Sequence, residues 1–250
     1  MRTTTMLTVL FFLSALAQAG EGESDPLKSP HWGEMHARFL NGENYRFDDK
    51  VQVLAPNAAE DSLNVPVTFD ATALEGVEQV IVMADLNPIP GVLEFIPKAI
   101  PARLSFRMKL QQGSPVRAAA KTVDGVWHVG GVWVDASGGG CTLPSVGTSS
   151  GDWSSTLGHV SANVWQRPDN NRLRVRVMHP MDTGLASGIP TFHIEDLRVL
   201  DANGAVLAEM ALYEPVSENP MLSLDTGQHT RFKLQGHDNN GNRIEAEVTE

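Results

Sequence analysis

Apolar and polar residues alternate along 102–110. Leu104, Phe106, Met108 and Leu110 fall on one side, and Arg103, Ser105, Arg107 and Lys109 on the other. Successive side chains of a strand point to opposite faces, so this pattern predicts a half-buried antiparallel strand. Shorter runs of the same kind occupy 51–54, 65–69 and 77–84, then 172–177, 192–200, 205–212, 231–235 and 243–248. Pro66 has no amide donor, which places its run at a sheet edge or a bulge. Asp124-Gly125 between 116–123 and 126–134 predicts a tight hairpin, because both residues tolerate positive φ. Asp201-Ala202-Asn203-Gly204 and Asp238-Asn239-Asn240-Gly241 predict two more. Only 30–40, with Trp32, Met35, Ala37, Phe39 and Leu40, carries a partial helical stripe. Many short strands, regular turns and almost no helix predict an all-β chain built from β-sandwiches.

The strand pattern breaks at Ala136-Ser137-Gly138-Gly139-Gly140-Cys141, which has no side chain large enough to pack. From Thr142 to about Val160 the chain is rich in Gly, Ser and Thr and reads as a flexible linker. The expected organisation is a signal peptide at 1–19, a first sandwich at 20–141, a linker at 142–163 and a second sandwich at 164–250.

Composition narrows the function. The net charge of −11 repels phosphate backbones and anionic lipid, so neither nucleic acid nor a membrane surface is an expected partner. Arg2, the apolar run from Met6 to Leu16 and the small residues of Ala17-Gln18-Ala19 read as a secretory signal, too short for a permanent span. Cleavage after Ala19 removes one positive charge, Arg2, and takes the net charge from −11 to −12. A periplasmic location follows from that reading, and a homodimer is left open.

An oxidising compartment makes an unpaired thiol a liability unless it is buried or used, and this chain has a single cysteine. Three glycines before Cys141 make a thin, permissive segment, and the six residues from Ala136 reach about 20 Å when extended. Such an arm suits a covalent cargo site presented to several enzymes in turn. No cation stands beside the thiol in sequence, so its pKa is expected near the free value of about 8.5.

Other constellations compete with this reading. Cys141, His179 and Met181 on a sandwich invite blue copper, but such sites draw their ligands from one short loop. Asp238, Asn240 and Gly241 resemble part of a calcium loop, and a polar hairpin turn accounts for them better. A Cys–His hydrolase using Cys141 with His128 or His159 would need a rigid base beside the thiol. Neither a metal nor another cofactor is expected. A recognition or chaperone module without covalent chemistry remains the alternative class.

Gly138-Gly139-Gly140-Cys141 after Val132-Trp133-Val134 resembles the cysteine arm of SoxY. His179-Pro180-Met181-Asp182-Thr183-Gly184-Leu185, Ile189-Pro190, Phe192-His193-Ile194, the stretch Pro215-Val216-Ser217-Glu218-Asn219-Pro220-Met221-Leu222-Ser223 and the closing Asp238-Asn239-Asn240-Gly241 resemble SoxZ. Together they resemble the fused SoxYZ-like carriers associated with quinoprotein dehydrogenases. The resemblance implies two immunoglobulin-like sandwiches packed as an intramolecular SoxY–SoxZ pair. It implies a non-enzymatic carrier with Cys141 as the covalent attachment site for sulfur intermediates of thiosulfate oxidation and Gly138, Gly139 and Gly140 as the swinging arm. It also implies periplasmic partner enzymes, of sulfur oxidation or of a quinoprotein dehydrogenase system. Here Thr142-Leu143-Pro144 and a whole domain follow the cysteine, so the arm is tied at both ends.

Overall fold

The computed structural model describes residues 24–145 and 153–249. The expected signal peptide and the middle of the expected linker lie outside the described residues. The first half holds helix α1 (Trp32–Phe39) and strands β1 (Tyr45–Phe47), β2 (Gln52–Leu54), β3 (Val65–Asp70), β4 (Val77–Ala84), β5 (Gly91–Pro97), β6 (Arg103–Met108), β7 (Ser114–Thr122) and β8 (Trp127–Val134). The second half opens on a short 3-10 turn (Trp153–Ser155). It continues with β9 (Val160–Trp165), β10 (Arg172–Val177), β11 (Asp182–Thr183), β12 (Thr191–Phe192), β13 (Ile194–Asp201), β14 (Val206–Leu212), β15 (Met221–Asp225), β16 (Phe232–Asp238) and β17 (Arg243–Val248).

Two immunoglobulin-like sandwiches are present, and they are joined edge to edge. One sheet has nine strands in the order β1-β8-β7-β4-β5-β14-β13-β16-β17, and the other six, β2-β3-β6-β15-β10-β9. Each sheet crosses from the first half to the second, at β5–β14 and at β6–β15, antiparallel in both cases. An exposed sheet edge carries unpaired backbone donors and acceptors, and pairing the two halves removes that edge from both. One hydrophobic core runs through both halves between the sheets, including Phe69, Phe95 and Leu104 from the first and Leu173, Leu197 and Leu224 from the second.

The alternation read from the sequence sets which face is buried. In β6, Leu104, Phe106 and Met108 point into the core while Arg103, Ser105 and Arg107 do not. β4 is apolar on both faces for a reason. Val80, Val82 and Ala84 face the main core, and Ile81 and Met83 face a second cluster with Trp32, Met35 and Leu40 of the α1 region. The three expected hairpins are present as β7–β8, β13–β14 and β16–β17, with Gly125 at φ 82°, Gly204 at 89° and Gly241 at 83°.

Several expectations need correction. β3 is an inner strand, but β2 pairs only with 68–70, so Pro66 lies beyond the end of β2, where no neighbour needs its amide. β1, β5, β9 and β15 were not legible as strands. β5 (GVLEFIP) lacks clean alternation because most of it is buried, and β15 follows the turn residues around Pro220. β9 begins at Val160, inside the segment read as linker, with Val160, Ala162 and Val164 packed on the core. No helix among the described residues is long and apolar enough to cross a membrane.

Candidate functional site

The chain leaves β8 at Val134 and is held by a parallel bridge between Asp135 and Ala58. Asp135 N–H donates to Asn57 O at 2.8 Å, and Ala59 N–H donates to Asp135 O at 2.7 Å. The glycines that follow are not an extended tether. Gly138 and Gly139 take φ of 105° and 87°, a region that favours glycine, and turn the chain back onto the end of β6. Gly140 then lies flat against backbone. A Cβ there would come within 2.3 Å of Ser62 O and 2.4 Å of Leu110 O. Its N–H donates to Leu110 O at 3.2 Å. Glycine is therefore needed at this position for close approach, not only for a thin profile.

This packing carries Cys141 into the seam between the halves, with no exposed surface. Its N–H donates to Gln111 Oε1 at 3.1 Å, and its Sγ lies 3.9 Å from Lys109 O. From the second half, Thr183 Oγ1 donates to Cys141 O at 2.5 Å. Four residues past Cys141 the chain is still anchored. Ser145 N–H donates to Asp182 Oδ1 at 2.9 Å and its hydroxyl lies 3.3 Å from Asp182 Oδ2. Both halves therefore hold the docked arm, and the start of the expected linker is part of the fold.

The expected free-thiol pKa is corrected. Burial pushes the Cys141 thiol up to about 11, with nearby Lys109 pulling weakly the other way. The docked sulfur is thus a protonated thiol at neutral pH. A thiolate is the reactive form, so docking protects it from oxidation and exchange.

Lys109 was missed by sequence reading and placed on the solvent side of its strand. β6 ends at Met108, the alternation ends with it, and Lys109 is buried at 4 % exposure. Its ammonium donates to the carbonyls of Met181 and, at 3.3 Å, Glu214, both in the second half. Burial lowers its pKa to about 8, opposed by the nearby carboxylates of Asp182, Glu218 and Glu214. A lysine just past an alternating run, beside the apolar Leu110, was the available signal.

The second half braces this contact with a buried histidine. Met181 takes φ 52° and donates its N–H to His179 Nδ1 at 3.0 Å, so the neutral ring carries its proton on Nε2. That nitrogen lies 3.4 Å from Asp238 Oδ2, and the ring packs on Phe192 at 4.4 Å. Burial lowers the His179 pKa to about 4, against the pull of Asp238. Met181 is fully buried, with its sulfur accepting from Ile194 N–H at 3.3 Å. His179 and Met181 thus build the seam. Asp238 works as a turn residue: Oδ1 accepts from Asn240 and Asn242 N–H, both at 2.9 Å, and Oδ2 from Asn242 Nδ2 at 2.8 Å.

Comparison with known proteins matches each half of the chain to a family. The family model described as "Sulfur oxidation protein SoxY" matches residues 36–141, ending at the cysteine, and "Sulphur oxidation protein SoxZ" matches 163–249. Among solved structures, the sulfur carrier protein SoxY from Chlorobium limicola f thiosulfatophilum is similar at 19% identity and a TM-score of 0.38, covering 43% of this chain and 96% of that one. A search of curated proteins gave no match. The chain belongs to the SoxY and SoxZ families of sulfur-oxidation carriers, with one domain of each joined in a single polypeptide.

Proposed function

We propose that Cys141 is the covalent attachment site of this carrier and that the segment with Gly138, Gly139 and Gly140 alternates between the docked state and a released one. The observation that carries this reading is the pairing of a fully buried thiol with a segment whose glycines are required for docking. Three hydrogen bonds hold the docked segment at Gly140 and Cys141, each worth about 1 kcal/mol net. A few kcal/mol of this kind leaves a released population on the order of 1%. Release returns the thiol to water and to a pKa near 8.5, where a thiolate forms readily. A sulfur adduct on Sγ adds atoms to a site already packed, so loading favours release and presentation to the next enzyme.

The cargo that fits the family is a sulfur intermediate of thiosulfate oxidation, handed between partner enzymes in the periplasm. Because the chain runs on from Cys141 into the second domain, the arm is tied at both ends and reaches less far than a free tail would. This favours partners with shallow active sites and is compatible with service to a quinoprotein dehydrogenase system.

Intact mass measurement of protein isolated unreduced from its own cells tests the proposal. The expected result is an adduct on Cys141 that dithiothreitol removes and that Cys141→Ser lacks. A free thiol in cells actively oxidising thiosulfate would sink covalent carriage and leave a recognition module.

A further inference from the structure

The outer face of the six-stranded sheet departs from the charge of the whole. The chain carries −11, yet β6 and β10 turn Arg103, Arg107, Arg172, Arg174 and Arg176 away from the core. The same alternation that buries Leu104, Phe106, Leu173 and Val175 puts them there.

Pairing sorts these arginines into rows. In the first row Asp225 pairs with Arg172 at 2.8 Å and with Arg103 at 3.4 Å, and Asp70 meets Arg103 at 3.4 Å, so charge cancels. The second row runs Thr68, Ser105, Ser223, Arg174, Asn163 and holds one uncompensated cation. In the third, Arg107 and Arg176 line a groove of about 400 Å³ with Asn64, Glu218, Asn219 and Met221. Both arginines are exposed, and their side chains make no ion pair or hydrogen bond among the described residues. The positive charge is thus concentrated toward the end of the sheet where the arm docks. Arg107 lies two residues, about 7 Å of extended chain, from Lys109 in the Cys141 site.

The face is also apolar in places. Trp165 is 42% exposed and stacks 5.1 Å from the Arg174 guanidinium, whose Nε donates to Ser223 Oγ at 3.2 Å. Leu54 is 54% exposed on β2. Arginine, tryptophan and methionine on one face are the residues enriched in protein interfaces.

We propose that this face is a docking surface for an acidic face of the proteins that load or unload Cys141, an inference that rests on the carrier reading above. Charge complementarity selects the occupant: arginines without partners on an otherwise acidic molecule attract carboxylates and speed encounter. Size selects the lifetime. Six strands at about 4.8 Å and three rows at about 7 Å give a flat footprint of roughly 600 Å², below the ~800 Å² per partner of a stable complex. A carrier that visits several enzymes needs such a short-lived contact. A second copy meeting this face about a twofold axis would set arginine against arginine, which disfavours self-association.

The test is an NMR titration of arginine Nε–H signals with a short polyglutamate peptide, on wild type, Arg107→Glu/Arg176→Glu and Cys141→Ser. The peptide is expected to shift Arg107, Arg174 and Arg176, more weakly as salt rises, and the double reversal to weaken binding about tenfold or more. Cys141→Ser should bind as wild type does, so loss of thiol chemistry and loss of the docking face are told apart. If the reversal perturbs folding by circular dichroism, Arg107→Gln/Arg176→Gln carries the same test. Absent shifts, or equal shifts at Arg198 and Arg243, would overturn the proposal. Tighter binding of oligothymidylate than of polyglutamate would give the face to nucleic acid. Self-association in sedimentation that the double reversal abolishes would give it to a second copy.

Discussion

The two seams between the halves are built differently. In the nine-stranded sheet β5 and β14 pair through an unbroken register from Ala208↔Pro97 to Leu212↔Leu93. In the six-stranded sheet β6 and β15 pair only at Ser223↔Ser105 and Leu224↔Leu104. Beyond Ser105 β6 turns to the 215–217 segment: Ser217 N–H donates to Arg107 O at 3.0 Å and Lys109 N–H to Pro215 O at 2.6 Å. The long seam fixes the two sandwiches as one body. The short seam parts early, and the parting makes room for the docked cysteine and for the groove beside Arg107. Rigidity at one seam lets the other be interrupted without separating the halves.

The sharpest way to break this contrast is a proline in the long seam. Glu209 lies between Ile96 and Arg198 in the sheet, and Glu209→Pro is expected to cost about 3 kcal/mol or more, read as a lower urea midpoint. Gly140→Ala attacks the short seam instead. Its Cβ would overlap the Ser62 and Leu110 backbone, so the arm should stay released. Alkylation of Cys141 in the native protein is then expected to rise about 100-fold, with little change in overall stability.

The buried histidine that braces the short seam gives a pH dependence. His179 has a folded pKa of about 4 against an ordinary 6.5, so between these values the unfolded chain takes up a proton that the folded chain refuses. Stability is expected to fall as pH drops from about 6.5 toward 4, by roughly 2–3 kcal/mol, and His179→Gln should flatten that limb in urea titrations. The smallest effect is expected from Thr183→Val, which removes the hydroxyl that donates to Cys141 O. Losing a hydrogen bond of about 1 kcal/mol should raise native alkylation of Cys141 roughly fivefold and leave Glu209-dependent stability unchanged.

Much of the fold was legible because local rules decide it. Alternation fixed the faces of β6 and β10, and Asp-Gly and Asn-Gly turns fixed the hairpins, since those signals depend on neighbours in sequence. β5 and β15 were not legible, although each forms part of a seam. β5 is mostly buried and so does not alternate, and β15 is too short for a pattern of its own. The cysteine and its glycines could be singled out from sequence, but not what the glycines do.

The sequence by itself determined which residues of the alternating strands β6 and β10 face inward, where the hairpins turn and that one thiol follows three glycines. The tertiary structure alone decided that the thiol is buried and protonated, because Gln111, Lys109 and Thr183 reach it from positions 30, 32 and 42 residues away. It alone decided that Lys109 is internal and that Arg107 and Arg176 share a groove, because those relations depend on how two sheet edges meet. Burial and charge proximity are sums over neighbours in space, and no spacing along the chain contains them.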